Sequence, residues 1–231
     1  MSATPRQRVA VLISGRGSNM GALIAAAMDP GFPGEIALVL SNRPDAAGLD
    51  TARRYHVRAE AIDHKLYPSR EAHEAAMTAL LDEVRPDVIC LAGYMRILTP
   101  GFVQRHLGRM INIHPSLLPL FPGLHTHERA LAAGMRIHGC TSHFVTEVMD
   151  EGPIIAQAAV PIEAGDTPDS LADRLLRAEH RLYPHALRLV LTGAVRMENG
   201  RAVFARGEAA DLRLSRGDGT PILLSPEARL A

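Results

Sequence analysis

Val9-Ala10-Val11-Leu12-Ile13-Ser14-Gly15-Arg16-Gly17-Ser18-Asn19-Met20 is the stretch on which the fold turns. Five apolar residues of strand length run into a glycine-rich turn, and a helical pattern over 20–28 follows. Outward from it the same alternation repeats. Residues 36–41, 58–62, 88–92 and 110–113 read as strands, and 46–55, 69–84 and 101–106 read as helices between them. The plainest helix is 69–84. Ser69 can cap it, Ala72, Ala76, Leu80 and Val84 recur every four residues, and Arg85-Pro86 ends it. Alternating strand and helix is the pattern of βαβ units, and right-handed crossovers place the helices on both faces of a twisted, mostly parallel sheet. The fold expected is therefore α/β and Rossmann-like.

Beyond residue 138 the character changes. Residues 139–145 and 154–162 read as strands, 170–191 as one long helix, and 195–197 with 202–204 as a hairpin turning at Asn199-Gly200. No element is assigned from Gly207 onward. With no internal repeat and no linker, the expectation is one domain over 1–231: a phosphate-binding half over 8–110, a catalytic half over 111–204, and a tail over 207–231.

Composition narrows the function. The chain has 231 residues, 47% hydrophobic and 22% charged, enough to bury a sizeable core. Lys and Arg total 25 against 25 Asp and Glu, so there is no overall basic footprint for nucleic acid or an anionic membrane. Cys90 and Cys140, the two cysteines, lie in apolar segments and make no disulfide framework, which fits a reducing compartment. The apolar run at 9–13 is too short for a secretory core, and no run approaches the roughly 18 residues of a membrane helix. A cytoplasmic protein acting on small molecules is the expectation.

The loop after the first strand sits where backbone N–H groups and a helix dipole can hold a phosphate. Gly15, Gly17 and Gly21 are one residue off the dinucleotide fingerprint, and Ser41-Asn42 stands where that fold places a ribose-binding acid. There is also no Lys-Ser/Thr pair for a triphosphate loop; Lys65 is the sole lysine. Two readings remain: a monophosphate held by Gly17, Ser18 and Asn19, or a tight turn capped by Ser18 or Asn19.

In Ile111-Asn112-Ile113-His114-Pro115-Ser116, strand alternation puts Asn112 and His114 on one face, and Pro115 stops the strand. A carboxamide beside an imidazole at the carboxyl end of a parallel strand can donate to one oxygen, as an acyl-transfer intermediate requires. The plainer alternative is a strand end with a satisfied histidine. Asp150, in the turn Val148-Met149-Asp150-Glu151-Gly152-Pro153, is a candidate third member that could hold His114 as the cation; Glu147 and Glu151 compete with it. His125-Thr126-His127 could suggest a metal, but lacks the HExxH-type support, so polar substrate contacts or a cap for a helix over 128–133 by Thr126 or His127 are preferred.

Gly15-Arg16-Gly17-Ser18-Asn19, Gly93-Tyr94-Met95-Arg96-Ile97-Leu98, Asn112 to Pro119, Phe121-Pro122-Gly123-Leu124-His125-Thr126-His127 and Asp150-Glu151-Gly152-Pro153 occur in this order. Together they closely resemble the phosphoribosylglycinamide formyltransferase family of purine synthesis, over residues 8–204. The stretch from Asn112 is shared by the wider 10-formyltetrahydrofolate-dependent family. The glycine loop and the Pro-Gly-Leu-His-Thr-His run point to the glycinamide ribonucleotide enzymes.

The resemblance implies transfer of a formyl group from 10-formyltetrahydrofolate, as co-substrate, to the amine of glycinamide ribonucleotide, with no metal. It implies Asn112, His114 and Asp150 as the catalytic trio and Gly17, Ser18, Asn19 and Glu179 on the ribonucleotide. On the folate it implies Arg70, Met95, Arg96, Ile97, Leu98 and Asn112. A monomer or homodimer is expected. Leu120 and Leu176 depart from the pattern, replacing a basic or small residue and a polar one near the phosphate, so phosphate contacts can differ here.

Three rivals stand beside this reading. Formyltetrahydrofolate hydrolase shares the fold but usually carries an extra domain before the first strand, where only seven residues precede Arg8. Methionyl-tRNA formyltransferase needs a sizeable basic C-terminal domain that this length and charge do not supply. A nonenzymatic nucleotide-binding module explains the glycine loop but not the Asn112/His114 pair.

Overall fold

The computed structural model describes residues 6–205, 213–216 and 221–225, and the chain divides between Asn112 and Ile113 into two compact units. The first carries β1 (Gln7–Ile13), β2 (Gly34–Ser41), β3 (Ala59–Ala61) and β4 (Val88–Leu91), and β5 (Met110–His114) runs across the boundary. Their order is β5-β4-β1-β2-β3, and every pair is parallel. Val9 through Ile13 are fully buried, because a central strand with a neighbour on each edge and helices packed above needs apolar side chains on both faces. From β1 the chain goes one way to β2 and β3 and the other way to β4 and β5. The carboxyl ends of β1 and β4 therefore flank the switch point at which open α/β sheets bind ligands.

Between these strands run α1 (Ser18–Ala27), α2 (Ala47–Arg54), α3 (Arg70–Val84) and α4 (Pro100–Arg105). Ser69 caps α3 by accepting from the Ala72 amide at 3.2 Å, and Arg85, in the left-handed region at φ 50°, ends it. Thr99 caps α4 in the same way, with Pro100 at the first turn where its missing N–H is harmless. The 3-10 turn at His64–Leu66, capped by Asp63, was not expected from hydrophobic pattern, since its three residues bury nothing.

The second unit holds α5 (Thr126–Ala132), β6 (Ile137–Phe144), β7 (Ile154–Pro161), α6 (Pro168–Leu191), β8 (Val195–Glu198), β9 (Arg201–Phe204), β10 (Arg213–Arg216) and β11 (Pro221–Ser225). β6, β7, β11 and β10 pair in that order, all antiparallel. The long helix α6 packs on β6 and β7 through Leu171, Leu175, Ala178, Leu182 and Ala186, all fully buried. A capping box starts it: Thr167 accepts from the Ser170 amide at 3.2 Å and Ser170 from the Thr167 amide at 3.0 Å. Asp166, one residue earlier, is locked to Arg174 by bonds of 2.6 and 2.8 Å. The β8–β9 hairpin turns at Asn199 and Gly200, both at positive φ, as a two-residue turn of this kind demands.

Two sequence expectations change. β10 and β11 lie in the tail that had no assigned element; their short, mixed sequences form strands because β7 offers an open edge, which is a tertiary fact. The rest of that tail, 206–212, 217–220 and 226–231, lies outside the described residues. α5 is not capped by Thr126 or His127: His125 occupies the cap position in the left-handed region, at φ 57°, with no side-chain cap bond. Among the described residues no helix is long and apolar enough to cross a membrane.

Candidate active site

In the first unit the turn after β1 puts Gly17, left-handed at φ 69°, in the cap position of α1. The reading of Ser18 or Asn19 as a cap is thereby replaced. The loop and the first residues of α1 line a cavity of about 640 Å³ together with Asn42, Arg43, His64, Ala92, Gly93, Met95 and Arg96. Glycine is also required on the helix opposite. Gly48 at the start of α2 donates to the Gly15 carbonyl at 3.0 Å, and a Cβ on it would stand 2.5 Å from Ile13 Cδ1 and 3.0 Å from that carbonyl. Gly48 thus sets how closely α2 supports the loop. Sequence reading passed over it, since one glycine in a helical pattern has no periodic signal.

Met95 and Ile97 follow β4 on an irregular segment, 70% and 64% exposed. The segment is nonetheless fixed at its far end: the carboxylate of buried Glu74 on α3 accepts from the Thr99 amide at 2.8 Å and from its hydroxyl. Tyr94 tucks its hydroxyl under Met77 Sδ at 3.4 Å, and burial pushes that phenol upward. Arg96 lines the cavity, whereas Arg70, the first residue of α3, is exposed.

Asn112 and His114 share a face of β5, with Ile111 and Ile113 buried on the other. In the second unit His114 Nδ1 lies 3.4 Å from Asp150 Oδ2, and its Nε2 lies 3.1 Å from the Phe121 carbonyl. Each ring nitrogen therefore faces an oxygen, one of a carboxyl group and one of a backbone carbonyl. His114 and Asp150 are nearly buried, with side chains 7% and 8% exposed. Asp150 Oδ2 also accepts from the Gly123 amide at 2.8 Å, and Oδ1 lies 3.9 Å from His143 Nε2. Of the three acids that competed in this turn, the structure places Asp150 beside His114.

Local strain holds the carboxylate there. Asp150 is left-handed, at φ 59°, and a Cβ on Gly152 would lie 1.7 Å from the Phe144 carbonyl. Only glycine lets the turn close against β6. His143 donates from Nδ1 to the Phe144 carbonyl at 2.9 Å; burial lowers its pKa, so it stands by Asp150 as a neutral ring.

The chain after His114 is pinned by residues that no motif flagged. Thr141 donates to the Ser116 carbonyl at 2.7 Å and accepts from the Leu118 amide at 3.0 Å. Gln157 donates to the Leu118 carbonyl at 3.0 Å. An alternating strand shows polar residues facing inward only once its partners are known, which hid these two. His127 and His138 meet edge to face with centroids 5.2 Å apart, and burial lowers both. Among the described residues no cluster of three or more His, Cys, Asp or Glu could hold a metal. Glu179 is buried on α6 near the Cys140 thiol, which burial first and this carboxylate second push well up.

A parallel sheet with a glycine-rich loop after its first strand, and a strand-end Asn and His with an acidic turn, define a class. The chain belongs to the formyl transferase family, whose model matches residues 7–187. Within that family it is 42% identical to the phosphoribosylglycinamide formyltransferase of Escherichia coli over 209 residues, 88% of this chain and 99% of that protein. It is 50% identical to the trifunctional purine biosynthetic protein adenosine-3 of Bos taurus over 202 residues, 87% of this chain, but spans only about a fifth, 20%, of that protein's length. Among solved structures, phosphoribosylglycinamide formyltransferase from Brucella melitensis superposes with a TM-score of 0.79 at 55% identity, covering 87% of this chain and 100% of that one.

Proposed function

We propose that this protein transfers the formyl group of 10-formyltetrahydrofolate to the amine of glycinamide ribonucleotide, giving formylglycinamide ribonucleotide and tetrahydrofolate for purine synthesis. The observation that carries the reading is His114, with one nitrogen toward Asp150 and the other toward a carbonyl, on the same strand face as Asn112.

The neutral amine of the ribonucleotide is the nucleophile, so no side chain has to be activated for attack. A new C–N bond forms at the formyl carbon, whose oxygen becomes an oxyanion. Asn112 donates to that oxygen, and His114 joins it through Nε2–H by turning that group from the Phe121 carbonyl, which it faces at 3.1 Å without substrate, while Nδ1–H stays toward Asp150. Collapse breaks the bond between the formyl carbon and the folate nitrogen; the proton lost by the amine reaches that nitrogen through Asp150 and water. Donors fixed on a strand and a buried carboxylate need little reorganisation as charge develops.

Gly17, Ser18 and Asn19 hold the phosphate at the N-terminal end of α1, with Arg16 and Arg96 on the same cavity, and Glu179 takes the glycinamide part. Arg70, Met95, Arg96, Ile97, Leu98 and Asn112 take the folate. Exposed Met95 and Ile97 offer an apolar bed and the arginines a match for its carboxylates. The partners are small molecules and the setting is cytoplasmic, with one formyltransferase domain working as a monomer or homodimer.

Steady-state consumption of the folate donor, with and without the ribonucleotide, tests the proposal. Consumption that depends strictly on the ribonucleotide is expected. Equal consumption without it would make the protein a hydrolase, and none under either condition would make it a binding module.

A further inference from the structure

The 14–19 loop and the 93–98 segment, on the proposed reading the beds of the two substrates, share one buried connection that the chemistry above does not use. Ser14, the residue after β1, is 5% exposed and holds the segment at two points. Its amide donates to the Gly93 carbonyl at 3.1 Å, and its hydroxyl accepts from the Met95 amide at 2.8 Å. Gly93 sits at φ 70°, the left-handed turn that points the Met95 amide back toward β1.

The hydroxyl proton is committed as well. It goes to Asn42 Oδ1 at 2.6 Å, and Asn42, also 5% exposed, ends its own strand one residue beyond β2. The Asn42 backbone carbonyl accepts from His64 Nδ1 at 2.8 Å, which places the ring proton on that nitrogen. A hydroxyl with one proton and a fixed acceptor for it has a single orientation, and that orientation presents its lone pair to Met95. Buried polar groups linked in this way are rigid when complete, and each costs free energy when a member is removed.

Together with Glu74 on Thr99, the Ser14 hydroxyl clamps the segment at both ends while its apolar side chains stand exposed between. We infer that Ser14, oriented by Asn42, is a positioning residue that registers the Met95 backbone against the phosphate loop and so sets affinity for the formyl donor. The inference rests on the proposed function for the identity of that donor, though not for the clamp itself.

The test combines kinetics with amide exchange. Ser14→Ala should raise the KM for 10-formyltetrahydrofolate about tenfold, the size of one lost buried hydrogen bond, with kcat and the KM for the ribonucleotide changed less than about threefold. Ser14→Thr, which keeps the hydroxyl, should restore most of the donor KM. In the wild-type protein the Met95 amide should exchange with deuterium slowly despite its exposed side chain, and faster in Ser14→Ala. Wild-type transfer with an unaltered donor KM in Ser14→Ala, or equal rises in both KM values, overturns the inference alone. Wild-type protein without formyl transfer overturns the proposed function instead; the Met95 amide then still decides the clamp, and exchange at the rate of an open amide removes it whether or not any variant folds.

Discussion

On the proposed reading, Asn112, His114 and Asp150 divide one task by chemical type. On that reading the carboxamide and the imidazole supply donors, and the carboxylate, 3.4 Å away, orients the ring. Removing an oxyanion donor typically lowers turnover about a hundredfold or more, so His114→Ala and Asn112→Ala should each lose at least that in kcat with circular dichroism unchanged. Asp150→Asn keeps the shape of the side chain but not its charge, and a severe loss of kcat with the fold preserved is expected. Steady-state kinetics of the three variants checks the assignment, and near-normal turnover in any of them removes that residue. At Gly48 the expectation is of another kind. Gly48→Ala would push on the Gly15 carbonyl at 3.0 Å and so disturb the loop, not the chemistry. The KM for the ribonucleotide should rise about tenfold with kcat little changed, which a titration of initial rate against ribonucleotide reads directly.

The elements that hold these residues have their own pH limits. Burial, helped by the charge of Arg109, brings His106 beside α4 down to about 4, and burial with His127 does the same to His138 on β6. Both rings are neutral in the native protein, whereas the unfolded chain binds their protons near pH 6.5. Their contribution to stability is therefore complete above about pH 6.5 and is lost as the pH falls toward 4. Urea midpoints followed by far-ultraviolet circular dichroism should decline across that window; a flat profile would contradict it. The Arg174 bond, with the Glu163 amide and Ser170, holds the Asp166 carboxyl well below the usual carboxylate range. That stability is present above about pH 4 and is lost below it. Asp166→Asn should lower Tm at pH 7 by several degrees and leave less to lose on acidification. The strands and helices of the first unit were legible in sequence because apolar runs and caps such as Ser69 are local signals. β10 and β11 were not, since only the edge of β7 makes them strands.

For the whole molecule, equal numbers of acids and bases give no overall basic surface, so on the proposed reading two anionic substrates are held by backbone amides and a few arginines. The six histidines between residues 106 and 143 also sort themselves. Burial lowers the pKa of His106, His127, His138 and His143, His125 is exposed beside Glu128, and His114 faces Asp150 and the Phe121 carbonyl at the end of β5. The shared strand face of Asn112 and His114 was readable because strand alternation is a local signal, whereas the approach of Asp150 rather than Glu147 or Glu151 to His114 is set by the tertiary fold. Ser14, Asn42, Thr141 and Gln157 were not readable, because each acts through a partner 16 or more residues away, on another element. The central claim, transfer to the ribonucleotide amine, is tested most directly by following the carbon itself. With donor labelled at the formyl carbon and glycinamide ribonucleotide present, mass spectrometry should find the label on the ribonucleotide as a new formamide. Label recovered only as formate would contradict the account.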